Sequence, residues 1–264
     1  MARSILVEYQ KAFHEKGMVL TMLGVFLINA MNLLDEMHLY PTRESASVLY
    51  FWVNRHILGA FSIMIFLLCG LSYGIQFCQE RNTGNWKYYL MRENPYRYGI
   101  SKIVVTVTTA MFSCVMGYLL LWIFLACKHM VFPEDTMFFE QLVDGVPFAR
   151  MAMQKKCSFF VLNIIPEVMT FTFLAMFSLM ISVYSRSKYV VLAAPLLIYY
   201  GWNYLTGLLR LPEIFQWPLT TATGFQCMEG DTQNLIFTMG YYVVGIIIMG
   251  IIFLKKLKGE MENV

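Results

Sequence analysis

The chain has 264 residues, 58% of them hydrophobic and 16% aromatic, with only 14% charged, where a soluble domain carries about 25%. That balance belongs to a membrane and excludes an ordinary soluble domain. The formal net charge of +3 gives no footing for whole-chain attraction to nucleic acid or to acidic substrates.

The first sixteen residues mix Arg3, Glu8, Lys11, Glu15 and Lys16 with apolar side chains. They lack the continuous apolar core of a removable signal peptide, so the first span is expected to direct insertion itself. Within residues 1–16, Ile5, Tyr9 and Phe13 recur at four-residue spacing while Glu8, Lys11 and Glu15 lie elsewhere around the helix. This pattern suits an amphipathic helix in the membrane interface. An ordinary cytoplasmic lead-in helix fits the same periodicity.

Six apolar stretches follow, near 18–34, 57–77, 103–127, 159–183, 190–209 and 235–254. Each approaches the roughly 20 residues needed to cross a hydrocarbon core of about 30 Å. The expected fold is therefore all-α and membrane-integral, one transmembrane domain of six helices over 1–264. Thirteen Lys and Arg residues fall in the N-terminus, the second and fourth loops and the C-terminus, against seven in the other loops, where Asp35, Glu36, Glu134, Asp135, Glu140 and Asp144 dilute them. The excess of basic residues marks the cytoplasmic side, so both termini are expected there.

On the first span, Asn29 and Asn32 are polar groups suited to bonds between helices, as is Asn203 on the fifth. On the second, Gly70 and Gly74 form a small-xxx-small pair that permits close helix packing. The segment after it, Cys78 to Lys102, reads CQERNTGNWKYYLMRENPYRYGISK. Gly84 lies in a turn-favouring Asn-Thr-Gly-Asn run, Trp86 to Arg92 supplies about two helical turns, and Pro95 follows the helix end. A short helix parallel to the membrane is expected here, as a docking element. A basic loop whose aromatic residues (Trp86, Tyr88, Tyr89, Tyr96, Tyr98) anchor at the headgroups is the alternative.

Glu167 is the one ionisable side chain deep within an expected span, and it follows Pro166. The fourteen Leu, Ile, Phe and Val residues of that span favour insertion by about 0.3 to 0.6 kcal/mol each, against roughly 3 kcal/mol for the carboxylate. Insertion wins, which leaves two roles for Glu167. It belongs to a translocation path together with Asn29, Asn32 and Asn203, or it serves a proline-kinked helix by reaching nearby polar groups. Beyond the fifth span, residues 210–234 carry Leu211, Ile214, Phe215, Trp217 and Leu219 around Pro212 and Pro218. They are apolar, broken by prolines and too short to span, which suits a re-entrant hairpin.

The six cysteines (69, 78, 114, 127, 157 and 227) show no metal-ligand spacing. Cys127, Cys157 and Cys227 fall on the outer side in this topology, as free thiols or with one disulfide among them. The sequence contains no HExxH, no GxSxG and no GxxxxGK[ST] phosphate loop. No catalytic residue, metal or cofactor is therefore assigned to this chain, and any ATP drive must come from another polypeptide.

This order of parts resembles the permease subunit of type-two ABC exporters, the type V exporter fold. In that family the loop after the second span reads as an acidic residue, a Gly, a helix, a turn and a basic run into the third span. The corresponding residues are Glu80, Gly84, Trp86 to Arg92, Pro95, Arg97 and Lys102. The resemblance implies a coupling helix, with Glu80, Gly84, Trp86, Tyr88, Tyr89, Arg92 and Arg97 docking on an ABC ATPase subunit that binds ATP and magnesium. It implies pairing with a second permease copy or paralogue in a bacterial cell membrane, and export of an amphipathic substrate such as a peptide or antimicrobial. The long segment Lys128 to Ser158 departs from the family pattern. Two readings stand beside this one: an ion-coupled secondary transporter or channel built on Glu167, and a toxin-binding immunity protein that uses the outer loops.

Overall fold

The structure, a computed structural model, describes residues 2–40, 46–54, 63–92, 94–132, 148, 156–211 and 231–262. Helices account for nearly all of these residues. The described part of the chain contains no strand, only an isolated parallel bridge between Ser47 and Met130.

Helix α1 (Ala2–His14) and α2 (Lys16–Asn32) are separated at Glu15, whose backbone is extended. After α3 (Leu34–Leu39) and α4 (Val48–Asn54), the second apolar stretch is α5 (Ile63–Cys69), a π-helical turn (Gly70–Gly74) and α6 (Gln76–Thr83). The amide of Ile75 donates to the carbonyl of Gly70 at 3.1 Å, the i to i−5 bond that defines a π turn. Gly84, at φ 77°, caps α6 in the left-handed region, where a Cβ is unfavourable. Helix α7 (Asn85–Arg92) starts directly after it.

Asn94 then caps α8 (Pro95–Lys128), its side chain accepting from the Tyr96 amide at 3.0 Å, and Pro95 holds the first helical position. Pro95 thus opens a helix as well as following one, because a missing N–H costs nothing in a first turn. Helices α9 (Lys156–Tyr184), α10 (Lys188–Leu208) and α11 (Asp231–Glu262) complete the bundle.

Helices occupy the described parts of all six apolar stretches; residues 57–62 lie outside them. Three are long and apolar enough to cross a membrane by length and composition: Pro95–Lys128, Cys157–Tyr184 and Asp231–Glu260. Lys16–Asn32 and Met64–Gly74 are apolar but shorter. Most of the expected re-entrant hairpin and of the segment 128–158, as well as Cys227, lie outside the described residues.

Helix α9 packs on α8 and α11, and α2 packs on α8 and the π turn. Close approach is built into these seams. A Cβ on Gly74 would lie 2.9 Å from Ser178 Cβ and 3.1 Å from the Ala175 carbonyl, and one on Gly70 would lie 2.9 Å from Ser178 Oγ. The Gly70/Gly74 pair is thus the face on which the π turn meets α9.

Around a largely apolar core, small polar side chains line the helix seams and apolar ones face outward. Thr21, Ser101, Thr106, Thr109, Ser113, Thr172, Ser178 and Ser182 are buried, whereas Leu20, Leu23, Leu27 and Met31 on α2 and Val244, Ile247, Ile248 and Ile251 on α11 are exposed. An apolar exterior over small polar seams is compatible with insertion into a bilayer.

The short α4, between the first two apolar stretches, is a finding the sequence did not announce. Its VLYFWVN run is too brief for a span, yet Val48, Leu49, Phe51 and Trp52 are buried. Trp52 packs edge-on against Tyr118 and Phe160, and Phe51 lies against the His129 ring. Glu36 accepts from the Tyr50 hydroxyl at 3.0 Å, tying α3 to α4.

Candidate functional site

At the bundle end that carries α1, α6 and α7, four charged side chains meet, three of them buried and the fourth, Lys11, 21% exposed. Helix α1 turns Ser4, Glu8 and Ala12 inward and leaves Leu6 and Phe13 exposed. The spacing of four residues sets this face. It brings the Glu8 carboxylate against α8, where Lys102 lies one turn beyond Tyr98.

Lys102 is fully buried, and its ammonium sits 2.5 Å from Glu8 Oε2 and 2.8 Å from Glu80 Oε1. Lys11 closes the square, 2.7 Å from Glu8 Oε1 and 3.1 Å from Glu80 Oε1. Two phenols complete it: Tyr73 donates to Glu8 and Tyr98 to Glu80. Lys102 also donates to the Tyr73 hydroxyl at 3.3 Å. The Tyr9 hydroxyl pairs with Thr108 at 2.6 Å, fastening α1 a further turn and a half along α8.

Two carboxylates against two ammonium groups leave no net charge. That balance is what makes the burial tolerable, since an unpaired ion in such a place costs several kcal/mol. Burial alone would raise the Glu8 carboxyl, but Lys102 and then Lys11 outweigh it and hold it below the ordinary carboxylate range. Burial would likewise lower Lys11, and Glu80 and Glu8 reverse the sign, so its ammonium is held above its ordinary value. Nearby Glu15 is shifted the other way: burial raises it, and a hydrogen bond from Gln76 offsets only part of that.

A second tie runs alongside. Arg81 on α6 reaches both carboxylate oxygens of Glu260 at 2.6 Å and donates to the Val183 carbonyl. The two arms of the guanidinium thus join α6 to the ends of α9 and α11, one nitrogen on the Val183 carbonyl and the other shared by the two oxygens of Glu260, a span that a single ammonium does not offer. Asn82 and Cys78 both donate to the Arg186 carbonyl, at 2.8 and 3.2 Å.

The residues expected to dock a partner are divided by the structure. Glu80 and Trp86 are buried, at 6% and 7% exposure, and Gly84 is the α6 cap. Tyr88, 67% exposed, and Arg97 face outward. The side chains of Tyr89 and Arg92 lie outside the described residues. Glu80 thus sits inside the bundle, at the root of the element that presents Tyr88.

The residues expected along a path are not gathered into one site. Glu167 is buried on α9, which packs on α8 and α11, while Asn29 and Asn32 are buried on α2. Asn29 donates to the Val25 carbonyl of its own helix at 2.8 Å. The Asn203 side chain lies outside the described residues. Beside Glu167, Thr170 donates to the Pro166 carbonyl and pairs with the Tyr242 hydroxyl, both at 2.8 Å. Cys127 and Cys157 are exposed free thiols, and no cluster of His, Cys, Asp and Glu suited to a metal occurs among the described residues.

Sequence reasoning missed the network because its members are scattered over α1, α6 and α8. The available signals were local. Glu8 and Lys11 are three apart on one helix face, and Tyr98 and Lys102 are four apart at the start of an apolar run. Comparison with protein-family models, with characterised proteins and with solved structures finds no match to this chain.

Proposed function

We propose that this chain is the transmembrane subunit of an ATP-driven exporter of the type-two ABC class, a six-span permease with both termini in the cytoplasm. In this reading α7 is the element that receives the ATPase. ATP and magnesium act on that partner, a second permease copy or paralogue completes the pathway, and the cargo is an amphipath such as a peptide or antimicrobial.

The buried ion network is the observation that carries the reading. Helix α7 hangs between α6, rooted by Glu80, and α8, rooted by Lys102 and Tyr98. A push on the exposed face of α7 therefore passes to the second and third apolar rods and to α1 together, because the network ties all three. Allosteric transmission needs such a contiguous, stiff element. The exposed Leu6 and Phe13 on α1 suit a helix held against lipid by its outer face while its polar face is pinned inside.

The test is purification of the tagged full chain from its native membrane in mild detergent, with mass spectrometry of whatever co-elutes in stoichiometric amounts. An ABC ATPase subunit is expected. If the chain elutes alone and moves solute in vesicles lacking ATP, the reading gives way to an ion-coupled transporter centred on Glu167.

A further inference from the structure

The elbow between α1 and α2 places a third carboxylate beside the ion network. Glu15 is the single residue of that elbow, extended at φ −80° and ψ 139°, and its side chain does not cap α2. The start of α2 is pressed onto the π turn, where a Cβ on Gly17 would lie 2.5 Å from the Leu71 carbonyl oxygen. The Glu15 carboxyl thereby comes beside Gln76, the first residue of α6, whose side-chain amide donates to it. Gln76 is 6% exposed, and its Oε1 meets no donor among the described residues.

We propose that Glu15 is a proton-binding site, and that its protonated carboxyl pairs with the Gln76 side-chain amide to hold the elbow of α1 and α2 on the start of α6. Two observations carry this assignment, and the first is the unpaired oxygen of Gln76. A carboxylate only accepts, so it takes the Gln76 N–H and offers nothing to Oε1. A carboxylic acid also donates: its O–H reaches Oε1 while its C=O keeps the N–H, and both amide atoms are satisfied in one two-bond ring. A buried acceptor left without a donor is costly, so the fold favours the form of Glu15 that supplies one.

The second is the balance of charge. Facing Glu15 are Lys11 from α1, Tyr73 from the π turn, Glu80 from α6 and Lys102 from α8, while His14 and Lys16 on either side of it are exposed. Lys11 and Lys102 are already matched by Glu8 and Glu80. An ionised Glu15 is therefore a third carboxylate against two ammonium groups, and one proton restores the balance. Burial acts in the same direction and holds the Glu15 carboxyl above its ordinary range. The folded chain thus binds this proton more readily than the unfolded chain does. The stabilisation is complete below the ordinary value of 4.5 and is lost as pH rises through the higher folded value. Glu8 acts below 4.5 and with the opposite sign, so the two windows do not overlap. Mild acid fastens α1 to the bundle end and alkali loosens it. The site does not depend on an ATPase or on transport, so its test stands apart from co-purification of a partner.

The experiment titrates the full chain in mild detergent, wild type beside Glu15→Gln, from pH 4.5 to mildly alkaline conditions. Infrared difference spectra are expected to show a protonated-carboxyl C=O band in wild type that disappears with a midpoint above 4.5 and is missing from Glu15→Gln. Thermal melts of the same samples are expected to place the variant about 2 to 4 °C above wild type under alkaline conditions and level with it near 4.5. The reason is that a glutamine amide makes the same two bonds to Gln76 at every pH. Gln76→Leu removes the ring partner and is expected to lower the melting temperature more on the acid side of this range than on the alkaline side. A difference spectrum without such a band, a gap between wild type and Glu15→Gln that does not change with pH, or a Gln76→Leu loss that is equal or greater under alkaline conditions would each overturn the proposal.

Discussion

The ammonium of Lys102, with no solvent exposure, lies 2.5 Å from the carboxylate of Glu8, so the first helix of the chain is bonded to the root of its longest one. Lys102→Met removes the fully buried cation and leaves two carboxylates facing the part-exposed Lys11 alone. The expected loss is about 3 to 5 kcal/mol of stability, read as a lowered melting temperature in detergent. Glu8→Gln combined with Lys102→Met restores charge balance and is expected to cost less than the sum of the single changes. A strictly additive pair would mean that the two groups are not coupled.

The network also fixes a pH dependence. The Glu8 carboxyl is held below its ordinary value of 4.5, so the folded state binds its proton less readily than the unfolded chain does. Its contribution is therefore complete above 4.5 and is lost as pH falls through the lower folded value. Comparing wild type with Glu8→Gln by denaturation at neutral pH and then in steps below 4.5, the gap between the two is expected to narrow on the acid side. A constant gap would remove Glu8 from the account.

Burial separates Glu80 from Tyr88, so the proposed docking role and a structural one are tested apart. Reversing the charge of Glu80 would add a third cation beside Lys11 and Lys102, so a loss of function there reports on the fold. Tyr88→Ala, at a side chain 67% exposed, is expected to leave the stability within about 0.5 kcal/mol of wild type while lowering transport and the yield of co-purified ATPase. Glu80→Gln is expected to lower stability first. Equal ATPase recovery with Tyr88→Ala would remove α7 as the docking element.

Arg81→Lys keeps the charge and loses the fork. With Glu260 only 23% exposed, the change is expected to cost about 1 to 3 kcal/mol, measured by thermal unfolding. A double-mutant cycle with Glu260→Gln is expected to show coupling, and zero coupling would make the contact decorative.

Much of the architecture was legible because its signals are local and strong. Apolar stretches long enough for helices, the turn at Gly84 and the short helix after it all follow from side-chain polarity and backbone preference within a few residues. The small-residue pair Gly70 and Gly74 likewise marked the seam with α9. The site was not legible, because its chemistry arises from contact between distant segments. Glu8 and Lys11 read in sequence as the polar face of an interfacial helix, Glu80 as an acid after the second span and Lys102 as a flanking base; only packing converts four ordinary charges into one largely buried square. Helix α4 escaped for another reason, since an apolar run of half a dozen residues matches neither a span nor an amphipathic period.

Gly74→Leu is expected to force the π turn away from α9, since even a Cβ there meets the Ala175 carbonyl at 3.1 Å. Overpacking of this kind costs about 1 to 3 kcal/mol. Gly240→Ala, where nothing lies within 4 Å, is expected to be neutral or slightly stabilising in the same melt, and a matching loss at both positions would refute the seam.

The π turn also fixes the phase of the second rod. Each residue of α-helix advances the direction of a side chain by about 100°, and the wide turn at Gly70–Gly74 inserts its extra residue between the outer segment and the one bearing Glu80. Because the wide turn absorbs that residue, excising it would let a regular helix close with Glu80 still facing Lys102, whereas removing a residue from the regular helix between the turn and Glu80 would rotate Glu80 by about 100°. A one-residue deletion within the turn is thus expected to lower the melting temperature less than one in Gln76–Thr83, where nothing takes up the change of phase.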